Sequence, residues 1–151
     1  MSKKTISVVL GTAPEGRQSE LVARALFDRL QDQAGTVVQW VDVREHVTTP
    51  ATIPAWEENK KVSAWRDIAQ NSDIFVFVLP EYNHGYPGEW KLLVDAAYKQ
   101  YDGKAAYVVG VSGGTFAGVR VADHVKPVLV ALGLRVHRTG LFIGNVDTTF
   151  S

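Results

Sequence analysis

Apolar runs and helical spacings alternate along this chain. Thr5–Leu10 (TISVVL) reads as a buried strand, ended by Gly11 and Pro14. Over Ser19–Gln31 the residues Leu21, Val22, Ala25, Leu26 and Leu30 share one face, and Arg24, Asp28 and Arg29 lie mostly opposite. That is the spacing of an amphipathic helix, with Ser19 at the N-cap and Glu20 in the first turn. Thr36–Val43 is β-branched and alternating, a second strand. His46–Asn59 carries Pro50 and Pro54 and reads as a loop. Asn59–Asn71 predicts a helix on Val62, Trp65, Ile68 and Ala69. Asp73–Leu79 (DIFVFVL) is an unbroken apolar run, the pattern of a central strand buried on both faces. Pro80 ends it. Glu89–Gln100 predicts a helix on Leu92, Leu93, Ala96 and Ala97, and Lys104–Val111 another strand. Phe116–Leu132 predicts a helix that Pro127 either kinks or restarts. Leu134–Ile143 predicts a last strand, with Gly140 as a candidate interruption.

Strands alternating with helices imply βαβ units and a parallel sheet. Five strands in one small α/β domain suggest the doubly wound order 2-1-3-4-5, the flavodoxin-like three-layer sandwich. Such a sandwich finishes on a helix after its fifth strand. Here only the eight residues Gly144–Ser151 remain, so the final helix is expected short or missing. Either the chain as given is a piece of a longer one or a partner chain covers that sheet face.

The chain has 151 residues, suited to a single domain over 1–151. Its formal net charge is zero, with no basic run or acidic tail, which gives no sign of a nucleic-acid or membrane partner. It has no cysteine, so disulfides, thiolate catalysis and Cys-ligated metals are excluded. No metal site is expected. No apolar stretch reaches membrane-spanning length, and the N-terminal apolar run is too short for a signal peptide. A cytoplasmic location is the expectation.

In an open α/β sheet, ligands bind beyond the carboxyl ends of the strands where the winding reverses. Three unusual loops fall there. GTAPEGRQS (Gly11–Ser19) follows the first strand and nearly matches the phosphate loop G-x-x-x-x-G-K-[ST]. It lacks the lysine, and no acidic residue ends the third strand, so a nucleotide triphosphatase is disfavoured. As a plain turn it needs only Gly11, Pro14 and Ser19. As an anion site it offers helix-start amides with Thr12, Arg17 and Ser19. PEYNHGYPG (Pro80–Gly88) is either an exposed turn or a rigid aromatic platform for a flat heteroaromatic ligand. SGGTFAG (Ser112–Gly118) lets backbone approach a ring closely. Its start, Gly110-Val111-Ser112-Gly113-Gly114, also fits the G-x-S-x-G nucleophile elbow. That reading lacks a suitably placed acid and histidine: Asp123 and His124 fall in a helix and His137 in a strand.

These loops, in this order, resemble the NAD(P)H-dependent FMN reductase family of flavodoxin-like flavoproteins, which includes quinone, azo-dye and chromate reductases. Leu79-Pro80-Glu81-Tyr82-Asn83 followed by Gly85-Tyr86-Pro87 is the most specific element, and the similarity runs from about Ile6 to about Gly144. The chain departs from the family at Pro14, where many members carry arginine, and at Ala117-Gly118, where many have a glycine pair. The resemblance implies that Thr12, Arg17 and Ser19 hold the FMN phosphate. It implies that Pro80, Glu81, Tyr82 and Asn83 cradle the isoalloxazine, and that Ser112, Gly113 and Gly114 approach its other edge. NAD(P)H would be co-substrate, and the electrons would pass to a small acceptor: a quinone, an azo dye, a metal oxyanion or free flavin. No catalytic side chain is required. A homodimer or homotetramer is implied, with Tyr86, Trp90 and Tyr98 as interface candidates. The alternative is a flavodoxin-type FMN electron carrier without NAD(P)H activity. The neutral charge disfavours it, since such carriers are usually strongly acidic.

Overall fold

The computed structural model of the chain describes residues 3–149. Its elements run β1 (Lys4–Leu10), α1 (Ser19–Gln31), β2 (Thr36–Asp42), the single turn α2 (Val43–His46), α3 (Lys60–Asn71), β3 (Ile74–Pro80) and α4 (Gly88–Asp95). A 3-10 turn (Lys99–Tyr101) follows, then β4 (Ala105–Val111), α5 (Val119–Ala131), β5 (Arg135–Val136), β6 (Leu141–Ile143) and the single turn α6 (Val146–Thr149). The sheet is parallel throughout, in the order β2-β1-β3-β4-β5, and β6 also pairs with β4. The expected order 2-1-3-4-5 is therefore observed.

The fifth strand position is split. Ala106 faces Val136 and Val109 faces Leu141, so three steps along β4 oppose five on the other side. Residues 137–140 bulge out between the two short strands. A Cβ at Gly140 would lie 2.6 Å from Phe142 Cζ and 2.9 Å from the Val108 carbonyl oxygen, so the chain passes too close there for a side chain.

Two helices differ from the spacing-based expectation. α4 stops at Asp95 instead of running to Gln100. The chain turns there to bury Tyr101, whose hydroxyl donates to the Val94 carbonyl at 3.0 Å. Arg66 Nε takes up the freed Ala96 carbonyl at 2.6 Å. α5 starts three residues later than expected, at Val119, and continues through Pro127, which is exposed.

One face of the sheet carries α3, α4 and α5 over a core of Val9, Phe75, Phe77, Leu79, Trp90, Val121 and their neighbours. The other carries α1 and the one turn of α6 over Ile6, Val8, Leu10, Val76, Val78 and Val109. The short last helix is thus as expected among the described residues. On this second face Tyr107 and Leu141 stay 39% and 44% exposed. No helix among the described residues is long and apolar enough to cross a membrane.

Candidate functional site

The carboxyl ends of β1, β3 and β4 bring the three loops together around a cleft of about 180 Å3. Arg17, Gln18 and Ser19 line it from the first loop, Pro80, Glu81 and Tyr82 from the second, and Ser112 and Gly113 from the third; Val146 and Asp147 of α6 close it. Of the residues expected there, Thr12, Asn83 and Gly114 do not line the cleft. A larger groove of about 600 Å3, with Trp56, Tyr98 and Leu132 in its walls, contains none of the three loops. Its lining is mostly apolar and lies apart from those loops, so the smaller cleft is the candidate site.

The first loop packs tightly under the sheet edge. A Cβ on Gly11 would sit 2.2 Å from Leu79 Cδ2 and 3.0 Å from Trp90 Cδ1, so a side chain here would have to displace the core side chains packed against it. Ser19 was expected to cap α1 and does not. Gln18 holds the N-cap position in helical conformation, and no side chain caps the helix. Two tight-turn bonds, Glu20 N–H to the Arg17 carbonyl and Leu21 N–H to that of Gln18, open the helix. They place Ser19 inside its first turn, with its hydroxyl buried and unpartnered. A buried hydroxyl without a partner costs about 1–3 kcal/mol, and here it sits among the first amides of a helix, where an anion is favoured.

Arg17 departs from the phosphate-gripping role expected of it. Its guanidinium is buried and pairs with Asp42 at the end of β2, at 3.0 Å through one nitrogen and closer through the other. It also donates to the Thr12 carbonyl and, at 3.2 Å, to Glu20. Arg44 adds a second guanidinium to Asp42 at 2.8 Å. Burial pushes the Asp42 carboxyl up, but the hydrogen bonds from Arg17 and Arg44 outweigh it and hold the group well below the usual carboxylate range. Thr12 is likewise committed, to Glu89 and to the Tyr82 hydroxyl.

The second loop is a two-residue turn. Tyr82 and Gly85 exchange N–H···O bonds of 3.0 and 2.9 Å across Asn83 and His84, both at positive φ (49° and 68°), the conformation of a type I′ turn. The Glu81 amide extends the β3–β4 pairing to the Val111 carbonyl. Its carboxylate accepts from the Arg120 amide at 3.2 Å and pairs with the Arg120 guanidinium at 3.4 Å, so Glu81 serves as the missing cap of α5. Arg120 also contacts His84 and lies 4.3 Å over the Phe116 ring. Trp90, an expected interface candidate, is instead fully buried, edge-on to Tyr86 and Phe77.

The third loop has no nucleophile geometry. The Ser112 hydroxyl donates to the Gly114 carbonyl at 2.9 Å, and the His137 ring is engaged with Thr139 and stacked on Tyr107. Among the described residues, no cluster of His, Cys, Asp or Glu could hold a metal ion.

Asp42, Glu89 and Asp147 were not anticipated as site residues. An acid closing a strand (Asp42) and one opening a helix straight after Pro-Gly (Glu89) were the available signals. Asp147 lies in a stretch with no periodic signal at all.

The family model described as NADPH-dependent FMN reductase matches residues 5–148. The chain is 37% identical over 89 residues to the NAD(P)H-dependent FMN reductase LOT6 of Saccharomyces cerevisiae, covering 58% of this chain and 46% of that protein. It is 30% identical over 139 residues to a quinone reductase of Pseudomonas putida, covering 86% of this chain and 72% of the relative. The chain thus spans under half the length of the yeast relative and about three quarters of the bacterial one. Its fold matches that of FerB, a flavoenzyme NAD(P)H:(acceptor) oxidoreductase from Paracoccus denitrificans, with a TM-score of 0.75 at 21% identity, covering 90% of this chain and 76% of that one. A loop-bounded cleft at the switch point of a 2-1-3-4-5 sheet, and a family match over nearly all of its length, place this chain in the NADPH-dependent FMN reductase family.

Proposed function

We propose that the chain is an FMN-dependent oxidoreductase that moves a hydride from NAD(P)H through bound FMN to a small acceptor. The observation that carries this reading is the buried, unpartnered hydroxyl of Ser19, a residue at the start of α1 that lines the three-loop cleft. It fits a phosphate oxygen, as do the adjoining amides of Gln18 and Ser19. Arg17 contributes through its position in the loop and not through its guanidinium, which Asp42 holds. Pro80, Glu81 and Tyr82 flank the ring on one side, largely through backbone, and Ser112 and Gly113 on the other. Asn83 and Gly114 shape the turns behind them, and Asp147 offers an acceptor to ribityl hydroxyls.

Bound flavin supplies the redox chemistry by accepting two electrons from NAD(P)H and passing them on. The protein positions the ring, supplies hydrogen bonds and leaves one face open to the two substrates in turn. No side chain here has to move a proton. Among acceptors, a quinone is favoured by the names of the bacterial relatives. A cytoplasmic location and a homodimer or homotetramer complete the proposal. The exposed Tyr98 is retained as an interface candidate and the core residue Trp90 is not.

The test is a visible spectrum of the purified protein with FMN, before and after anaerobic NADPH or NADH. A bound flavin band that bleaches with either nucleotide is the expected result. A band that bleaches only with dithionite would make the chain a one-electron carrier. Absence of bound flavin would overturn the proposal and return the first loop to a plain turn.

A further inference from the structure

We propose that Glu89, the second residue of α4, is a positioning residue that fixes the hydrogen-bond direction of Tyr82 at the cleft; the consequence for ligand binding rests on reading that cleft as the FMN site. Glu89 Oε1 accepts from the Ala13 amide at 2.8 Å and from the Thr12 hydroxyl at 3.2 Å. The Thr12 hydroxyl is itself 3.0 Å from the Tyr82 hydroxyl. An ionised carboxylate has no proton to give, so the Thr12 proton points at Glu89. Thr12 then has only lone pairs left for Tyr82, and the Tyr82 O–H must donate to it. The Tyr82 oxygen then keeps lone pairs free to accept, on a residue that lines the cleft. Tyr82 therefore presents the cleft with an acceptor, suited to a ligand N–H or O–H. A flavin carries both kinds, in its ring imide and its ribityl hydroxyls.

Burial makes the direction durable. Thr12 is fully buried, whereas Tyr82 is 45% exposed, so the chain of bonds is set from its inner end, where water does not compete. The same contacts staple the first loop, the Tyr82 turn and the start of α4 together. Glu89 and Thr12 lie behind the cleft lining, so Glu89 acts through Tyr82 and not on the ligand.

Two measurements test this on the whole chain. The first is amide hydrogen exchange of Ala13 in flavin-free protein. Glu89→Ala should speed it at least about tenfold, and Glu89→Gln should leave it near wild type, because the amide oxygen still accepts. The second is FMN affinity by fluorescence titration, with Tyr82→Phe and the double variant completing a cycle. Glu89→Ala should raise the Kd about fivefold to tenfold, Glu89→Gln less than about twofold, and the effect of Glu89→Ala should vanish in the Tyr82→Phe background. Unchanged Ala13 exchange in Glu89→Ala overturns the proposal. So does an equal loss of affinity in the Tyr82→Phe background, or tighter FMN binding, which would mark Glu89 as a competitor of the phosphate. If wild type takes up no FMN, the reading of the cleft fails while the exchange result still decides the role of Glu89.

Discussion

Arg17 and Asp42 meet where water scarcely reaches, their side chains 2% and 5% exposed. A buried pair is a modest source of stability, but removing one partner leaves a bare charge inside. Asp42→Asn should therefore cost about 3 kcal/mol of unfolding free energy, read by urea denaturation. It should also loosen the first loop, because Arg17 donates to the Thr12 carbonyl from the same guanidinium. Ser19 behaves in the opposite way. Its hydroxyl bonds to nothing in the flavin-free protein, so Ser19→Ala should leave stability unchanged or slightly raised. FMN should bind that variant about tenfold more weakly, as fits one hydrogen bond to a charged group. Equal losses in stability and affinity would refute the assignment. None of this was legible in the chain order. An arginine in a phosphate-like loop reads as an anion ligand until the acid at the end of a neighbouring strand is seen to claim it.

At the scale of elements, β4 and the start of α5 approach backbone to backbone. Gly118 has φ of 76°, and a Cβ there would come within 2.6 Å of the Val111 amide nitrogen. Gly118→Ala should cost about 2 kcal/mol or more, seen as a lower urea midpoint, since both the backbone conformation and the space forbid a side chain. Helix ends are likewise settled by neighbours. The Lys104 ammonium donates to the Ala69 and Gln70 carbonyls at 2.6 and 2.7 Å, closing α3 from another element. Glu81 opens α5 in the same way. Periodicity located α3 with its limits but missed the end of α4 and the start of α5. The apolar spacing from Leu92 to Ala97 continues past Asp95, yet α4 stops there because Tyr101 must reach the core.

For the whole molecule, the two sheet faces are unequally covered, and acidification acts through groups on both sides of the fold. Burial lowers the His46 pKa below its ordinary 6.5. Its neutral form is thus favoured by folding, and that contribution is complete above pH 6.5 and is lost as pH falls through the depressed value. Asp42, and Asp73 held low by the Thr5 amide and Lys4, act in the same direction from 3.8 downward. Thermal unfolding from pH 8 to 3 should therefore show two successive declines in Tm. His46→Gln should abolish the upper one and leave the lower one in place.

By itself the sequence determined the alternation of strands and helices, the parallel order and the three loops at one edge. Those features depend on local chemistry: apolar runs that must be buried, and glycine and proline where the chain must turn. Only the tertiary structure decided which polar groups of those loops are already spent. Thr12 is bound to Glu89 and Arg17 to Asp42, while Ser19 is left open. Each of those pairings joins residues far apart in the chain, and a hydrogen bond depends on where folding leaves its acceptor, which residue order alone does not state.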